Sequence, residues 1–126
     1  MEDGLRYNEG KPKWSLVPQS SLIPMVRVLE FGAKKYEAFN WMKGMSVIEI
    51  SESLKRHLDS FMEGEDNDQE SGISHIGHIM CNALFLSWMM ENRPDKDDRF
   101  NFKQLIKDGN NIKKSKNNGK NTTDSI

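Results

Sequence analysis

The chain has 126 residues and a mass of 14.6 kDa, which fits one domain, at most with a tail. Its net charge of −1, with 29% charged residues, provides no overall attraction to nucleic acid or to a membrane surface. The single cysteine, Cys81, excludes an intramolecular disulfide and a cysteine-cluster metal site. The acidic N-terminus is unlike a signal peptide, and the apolar run over 79–90 is too short to span a bilayer. We therefore expect a cytoplasmic protein.

The first twenty residues predict an extended arm, because glycines and prolines interrupt any regular pattern and residues 8–10 are typical of a turn. Cations alternate here with aromatic rings, which suits contacts to phosphate and to a nucleobase. A solvated surface arm would show the same pattern. The candidate substrate-binding residues of the arm are Arg6, Tyr7, Asn8, Lys11 and Trp14.

Helical spacing of apolar residues predicts a first helix over 21–36, with Ser21 as its cap and Pro24 in its first turn. Two cations and a ring end this helix, and an amide and a second ring follow in the connector. They suit phosphate and base contacts, although cations also favour a helix C-terminus and the connector ring can cap the core. These further candidates for substrate binding are Lys34, Lys35, Tyr36, Asn40 and Trp41.

Ser46 followed by Glu49 forms a capping box, and the apolar stripe after it predicts a second helix that ends near Gly64. An acidic loop covers 63–72. A third helix is predicted over about 73–91. It is apolar almost all round, which is typical of a central helix or of an interface, so we expect a homo-oligomer.

A short helix is predicted over 99–107, which closes a domain of residues 1–108. The Lys- and Asn-rich segment 109–126 predicts a disordered tail. No segment shows the period of two that a strand requires. The predicted fold is therefore all-α, a small bundle of three main helices and a short C-terminal helix with an extended N-terminal arm.

A polar stripe crosses the third helix, where His75, His78 and Asn82 lie at i, i+3 and i+7 and share one face. An unpartnered buried polar group costs about 1–3 kcal/mol, so three on one line need a common purpose. That purpose is either an interhelical hydrogen-bond network or a ligand site. His57 borders the apolar stripe of the second helix, and antiparallel pairing would turn it towards the third.

The acidic loop adds carboxylates to these imidazoles, a ligand set that suits Mn²⁺, Fe²⁺, Zn²⁺ or Co²⁺ better than Mg²⁺. The loop does not follow the EF-hand pattern, and a solvated connection is its plain alternative. We expect Arg56 to contact phosphate and Asn82 to read a base. The predicted catalytic and metal-binding residues are His57, Glu65, Asp66, His75 and His78.

Three blocks of the sequence resemble the phage dATP/dGTP diphosphohydrolase N-terminal-domain family, which is similar to the MazG-like all-α nucleoside triphosphate pyrophosphohydrolases. They are LRYNEGKPKWSLVP at 5–18, VLEFGAKKY at 28–36 with the following Asn40-Trp41, and the segment from Arg56-His57-Leu58 to 82–86. The resemblance implies a helical bundle that binds a purine deoxynucleoside triphosphate. It also implies metal-dependent attack of water between the α and β phosphates, giving a monophosphate and pyrophosphate.

One departure from the MazG-like pattern concerns the metal. Those enzymes hold Mg²⁺ with Glu-x-x-Glu on one helix and Glu-x-x-Asp on a later one. Glu49-x-x-Glu52 has the first spacing, but His75-x-x-His78 stands at the second. Either the metal differs, or the histidines hydrogen-bond a ligand and no hydrolysis occurs.

Three functions are consistent with these residues. The first is a pyrophosphohydrolase that uses Mn, Mg, Co or Zn. The second is a non-catalytic phage protein that sequesters a host signalling nucleotide. The third is an interaction protein whose polar stripe only specifies an oligomer. We expect a purine nucleotide as partner, no membrane or nucleic acid, and a location in the host cytoplasm if a phage encodes the chain.

Overall fold

The structure is a computed structural model, and it describes residues 2–115. Its helices are α1 (Ile23–Lys35), α2 (Val47–Met62), α3 (His75–Asn92) and α4 (Phe102–Ser115), joined by short 3-10 turns. No strand occurs within 2–115, where Asn67 and Ser74 form an isolated antiparallel bridge. The all-α prediction is confirmed.

The N-terminal arm is extended, as predicted, up to a 3-10 turn at Trp14–Leu16. Its turn forms where expected, because the Lys11 N–H donates to the Asn8 carbonyl at 3.2 Å. Gly10 supplies the positive φ of 79° that this turn requires.

Helix α2 begins as its capping box predicts, with the Ser46 hydroxyl accepting from the Glu49 N–H at 3.1 Å. Asp98 adds a second cap, since its carboxylate accepts from the Ser46 hydroxyl and from the Ile48 N–H. The predicted cap of α1 is wrong. Ser21 lies in the preceding 3-10 turn (Gln19–Leu22), and Leu22 occupies the cap position without a side-chain acceptor.

Helix α3 is central, because it packs against both α1 and α2. Among the residues described, the buried apolar side chains are Val47, Ile50, Cys81 and Met89, of which Cys81 and Met89 are fully buried. Burial raises the pKa of the Cys81 thiol to about 12, which removes it as a nucleophile. Cys81 therefore serves as a packing residue of the core.

The segment after α3 returns to the connector between α1 and α2. The Arg93 guanidinium donates to the Lys43 carbonyl at 2.8 Å, while Asp98 caps α2 as described above. The contacts of Arg93 and Asp98 fix the C-terminal part of the connector 36–46 against the segment after α3. This connector forms one wall of a cleft.

The C-terminal helix differs from its prediction. It starts at Phe102 rather than near 99 and continues to Ser115, so the predicted boundary at 108 falls inside α4. The rest of the predicted tail, 116–126, lies outside the described residues. Within 2–115, no helix is both long and apolar enough to cross a bilayer.

Gly77 lets α1 and α3 approach closely. A Cβ built at this position would lie 2.8 Å from the Pro24 carbonyl oxygen and 2.9 Å from its carbon, both of them backbone atoms. We expect Gly77→Ala to lower the free energy of unfolding by about 1–3 kcal/mol, because α1 must move away.

Gly32 is the matched control, since it is also helical and has nothing within 4 Å of its built Cβ. Gly32→Ala should raise stability by about 0.5–1 kcal/mol, because alanine is the better helix former. Urea denaturation of both variants measures the difference. Equal effects would contradict a close contact at Gly77.

Candidate functional site

The polar stripe of α3 faces α2. His75 Nδ1 lies 2.8 Å from His57 Nδ1, and two turns further along α3 the Asn82 amide donates to the Ser53 hydroxyl at 3.3 Å. Because partner numbers fall along α2 as they rise along α3, the two helices are antiparallel. The predicted juxtaposition of His57 with the third helix is therefore present.

Glu65 holds the buried ring of His75 in position. His75 is 3% exposed, and its Nε2 lies 2.6 Å from Glu65 Oε1. With Nε2–H donating to that carboxylate, Nδ1 is the ring nitrogen that faces His57. A carboxylate behind a histidine in this way is a common arrangement around a metal-binding imidazole.

His78 is held differently from His75. Its Nε2 lies 2.7 Å from the Ser71 hydroxyl and 3.9 Å from Asp68 Oδ2. Its ring stacks on His57, with centroids 4.3 Å apart and planes 6° from parallel. All three histidines of the chain are thus in one cluster.

The loop between α2 and α3 places Asp68 rather than Asp66 in this cluster. The Asp68 N–H donates to the Ile73 carbonyl at 2.9 Å, and the Ser71 N–H donates to Asp68 Oδ2 at 2.9 Å. Asp66 contributes only its backbone, whose carbonyl accepts from the His75 N–H at 2.8 Å. The side chain of Asp66 is exposed.

Electrostatics keep two of the rings neutral and the carboxylate charged. Burial lowers the pKa of His57, and the neighbouring His78 lowers it further; burial is also the main reason why the pKa of His78 is low. For Asp68, burial acts to raise the pKa, but hydrogen bonds from Ser71 and the nearby imidazoles outweigh it, so the pKa is lowered. Neutral imidazoles beside a carboxylate are the forms that bind metal.

Three donors of this cluster converge. One ligand atom each from His57, Asp68 and His75 lies within 4.8 Å of the others. Two nitrogens bound to one ion at right angles would be about 3.0 Å apart, given metal–nitrogen bonds of about 2.1 Å. The two Nδ1 atoms are hydrogen-bonded at 2.8 Å, so an ion held by both would replace that hydrogen bond with little movement of the rings. The donor set therefore fits a divalent ion.

A cleft of about 630 Å³ opens beside the cluster, between α1 and the α2–α3 pair. His57, Asp68 and His78 line it, together with aromatic residues of the connector and of α3. Its volume lies within the usual range for small-molecule sites. The aromatic residues that line the cleft are Phe31, Tyr36, Phe39, Trp41 and Phe85.

The charged side chains that line the cleft are predominantly acidic. Lys35 is the one Lys or Arg among its lining residues, and it is bound to Glu70 at 3.3 Å. The four carboxylates of the lining are Glu30, Glu37, Asp68 and Glu70.

The structure separates the predicted substrate-binding residues into two groups. Lys35, Tyr36, Asn40 and Trp41 line the cleft. Trp41 also packs against Phe85 and Trp88, with ring centroids 4.8 and 5.1 Å away, so its alternative role in the core is present as well.

The second group of predicted residues lies outside the cleft lining. Asn82 connects α3 to α2 by its hydrogen bond to Ser53. For this part of the polar stripe, the contact is the interhelical hydrogen bond that was one of the two predicted purposes. Arg56 is exposed and points away because neighbouring helical residues diverge by about 100°. The remaining residues outside the lining are Arg6, Tyr7, Asn8, Lys11, Trp14 and Lys34.

Asp68 and Ser71 are site residues that the sequence did not single out. Asp68 is one of five acidic residues in its loop, and nothing in the spacing marks which one turns inwards. The sequence signal that could have marked Asp68 is its position in a turn that ends three residues later at Ser71. An Asp side chain in a turn often accepts a hydrogen bond from a nearby backbone N–H.

The pKa directions predict a loss of stability on mild acidification. The unfolded chain takes up protons near the ordinary histidine pKa of 6.5, whereas the folded His57 and His78 resist protonation. The free energy of unfolding should therefore fall as the pH drops below about 6.5 and be constant, for these rings, above about 7.5. The stability that the ionised Asp68 carboxylate contributes is lost separately, as the pH falls below the ordinary aspartate pKa of 3.8.

Urea denaturation at about pH 7.5 and 5.5 tests this dependence on pH. In His57→Gln the difference between the two conditions should shrink. The exposed Lys55→Gln on the same helix is the control and should keep the wild-type difference. If the wild type is equally stable at both pH values, the claim that the fold lowers the pKa values of His57 and His78 is wrong.

Comparisons with known proteins match this region. The family described as dATP/dGTP diphosphohydrolase, N-terminal, matches residues 1–99. A protein named dATP/dGTP diphosphohydrolase from Salmonella phage PMBT28 is 32% identical over 96 residues. That match covers 76% of this chain and 33% of the relative, so the chain spans about a third of the relative's length.

No solved structure matches the chain significantly. Neither match bears on the MazG-like comparison, which stays a prediction. The family match runs from the arm through α1 and α2 to the end of α3, and so includes all three histidines and the loop that holds Asp68. The chain belongs to the dATP/dGTP diphosphohydrolase N-terminal family.

Proposed function

We propose that the chain is a metal-dependent hydrolase of purine deoxynucleoside triphosphates, which releases a nucleoside monophosphate and pyrophosphate. The observation that carries the proposal is the group of His57, Asp68 and His75 at the side of a cleft large enough for a nucleotide. The family match and the name of the phage relative suggest the substrate class.

The three converging donors would hold the divalent ion, Mn²⁺ or Co²⁺ in preference to Mg²⁺ because two of them are imidazoles. When bound, the ion offsets phosphate charge and lowers the pKa of a bound water. Glu65 orients His75 from behind by accepting from its Nε2–H. It acts as a positioning residue rather than as a ligand.

His78 is the best-placed base for the attacking water. It lines the cleft, its lowered pKa keeps it neutral, and Ser71 holds its ring at Nε2. Water adds to the α-phosphorus, the bond to the bridging oxygen breaks, and pyrophosphate leaves. The proton of the water goes to the neutral imidazole of His78.

The aromatic lining suits a purine. Tyr36 and Phe39 are exposed at the cleft with no role in the core, and the neighbouring Asn40 amide can both donate and accept. A base stacked on an aromatic ring gains about 1–3 kcal/mol. We assign the base to this end of the cleft and the phosphates to the histidine end.

We also propose a homo-oligomer. Only four apolar side chains of the described residues are buried, whereas Ile76 and Met90 of α3 remain exposed. Apolar residues on the central helix are normally covered, so a second copy is the natural partner for this surface.

Sequestration without hydrolysis is the second candidate function. It is favoured by the ligand set, since the metal group contains one carboxylate. Glu49 and Glu52, which have the MazG-like spacing, are both exposed and do not line the cleft. A binding protein would use the same cleft and return the nucleotide intact.

A nucleotide panel separates the two functions. The purified chain is incubated with each deoxynucleoside triphosphate and with Mn²⁺, Mg²⁺, Co²⁺ or Zn²⁺, then denatured, and the nucleotides are resolved by ion exchange. We expect monophosphate and pyrophosphate from dATP or dGTP. Recovery of bound but intact nucleotide would support sequestration. If no nucleotide is bound and none is cleaved, both functions are refuted.

Two aspartates of the same loop provide a matched pair. Asp68→Asn removes a charged ligand and should lower Mn²⁺ affinity and turnover by about 100-fold or more. Asp66→Asn, two residues away and exposed, should change either by less than about 2-fold, as expected for a surface substitution. Calorimetric Mn²⁺ titration and the ion-exchange assay measure the two effects. The reverse order would place the metal with Asp66.

A further inference from the structure

The N-terminal arm has a defined backbone, but its side chains are largely exposed to solvent. It contains the turn at Asn8 and the 3-10 turn at Trp14–Leu16, yet Leu5 is 88% exposed, Tyr7 87% and Leu16 78%. No side chain of residues 2–17 forms a hydrogen bond or an ion pair with another of the residues 2–110, whose side chains the structure describes. Apolar side chains presented in this way on an extended segment are typical of an interface.

The cleft lacks the charge that the arm carries. Four carboxylates line the cleft against Lys35, which Glu70 already engages. A triphosphate would meet net negative charge there even with a divalent ion in place. Residues 6–14 of the arm carry three cations, Arg6, Lys11 and Lys13, against Glu9.

The arm lies outside its own cleft in this structure, because no residue of 2–17 lines it. The arm enters α1 beside Pro24, and the cleft lining on that helix runs from Val26 to Lys35. Pro24 is itself fixed against Gly77 of α3, which holds the start of α1 in place.

From the exposed arm, the acidic cleft and the small core, we infer that the arm of one copy lies across the cleft of a second copy. Arg6 and Lys11 then supply the phosphate-binding cations, and Trp14 or Tyr7 closes the cleft over the base. The inference rests on the proposed function and deepens it, because each site would be completed by the partner copy. Reciprocal exchange of such an arm produces a closed two-fold dimer.

Cysteine crosslinking tests the placement without nucleotide or metal. The single native thiol, Cys81, is buried with its pKa raised to about 12, so introduced thiols react almost alone. Ser15→Cys marks the arm, and Ala38→Cys marks the cleft rim on a second chain that carries a mass tag. The two chains are mixed, unfolded, refolded together and treated with a short bismaleimide.

We expect the mixed crosslinked dimer to exceed by about tenfold the yield with Ser51→Cys, an exposed control on α2 that lies outside the cleft. A third sample carries Ser15→Cys and Ala38→Cys on one chain. Crosslinking within that single chain, or no crosslink in the mixture, would overturn the exchange. Crosslinking between chains that hydrolyse nothing would refute the proposed activity and leave the exchange standing.

Complementation tests the role of the arm in the site. A chain with Arg6→Ala and Lys11→Ala is co-refolded with an equal amount of the Asp68→Asn chain. If sites are shared, half of the dimers are mixed and each has one complete site, which restores about a quarter of wild-type activity. If each arm serves its own chain, no mixture contains a complete site, and activity stays at the level of the inactive parents. That result, with an active wild type, would overturn the inference.

Discussion

The antiparallel contact between α2 and α3 is the interaction on which the rest of the structure depends. It brings a polar line of α3 against Ser53 and His57 of α2, inside a pair of otherwise apolar helix faces. Every buried polar atom along this line must find a partner, because each unmet group costs about 1–3 kcal/mol. In the described residues none is left without one. The register of the two helices is thereby restricted, since a shift by one turn would separate His57 Nδ1 from His75 Nδ1 and Asn82 from Ser53.

That register also concentrates titratable groups at one end of the helix pair. The acidic loop is the direct connection between the two helices, so its carboxylates are necessarily close to the start of α3. Glu65 and Asp68 approach the histidines from opposite sides, one at His75 Nε2 and the other near His78 Nε2. Three imidazoles side by side would repel each other if protonated. The lowered pKa values of His57 and His78 favour the neutral rings that metal binding also needs.

The sequence was sufficient to predict the helices and the histidine cluster, because both depend on periodicity. Ser46 with Glu49 marks the start of α2, and the spacing of 75, 78 and 82 marks one face of α3. It was insufficient for the choice of carboxylate, because the loop contains five acidic residues and the turn in which the Ser71 N–H donates to Asp68 Oδ2 does not by itself place that carboxylate beside the histidines. The contact made by Asn82 was not predictable for a related reason. Its partner Ser53 is 29 residues away and has no distinguishing signal of its own.

The connector 36–46 shows how strain and function coincide at the cleft. Phe39 has a φ of 60°, a left-handed conformation that non-glycine residues rarely adopt and that costs about 1–3 kcal/mol. Contacts on both sides maintain it: Lys43 binds Glu37 at 2.6 Å, and Arg93 donates to the Lys43 carbonyl. The ring of Phe39 is consequently held open to the cleft rather than packed into the core. The strain of the connector and the exposure of the Phe39 ring are thus two consequences of the same contacts.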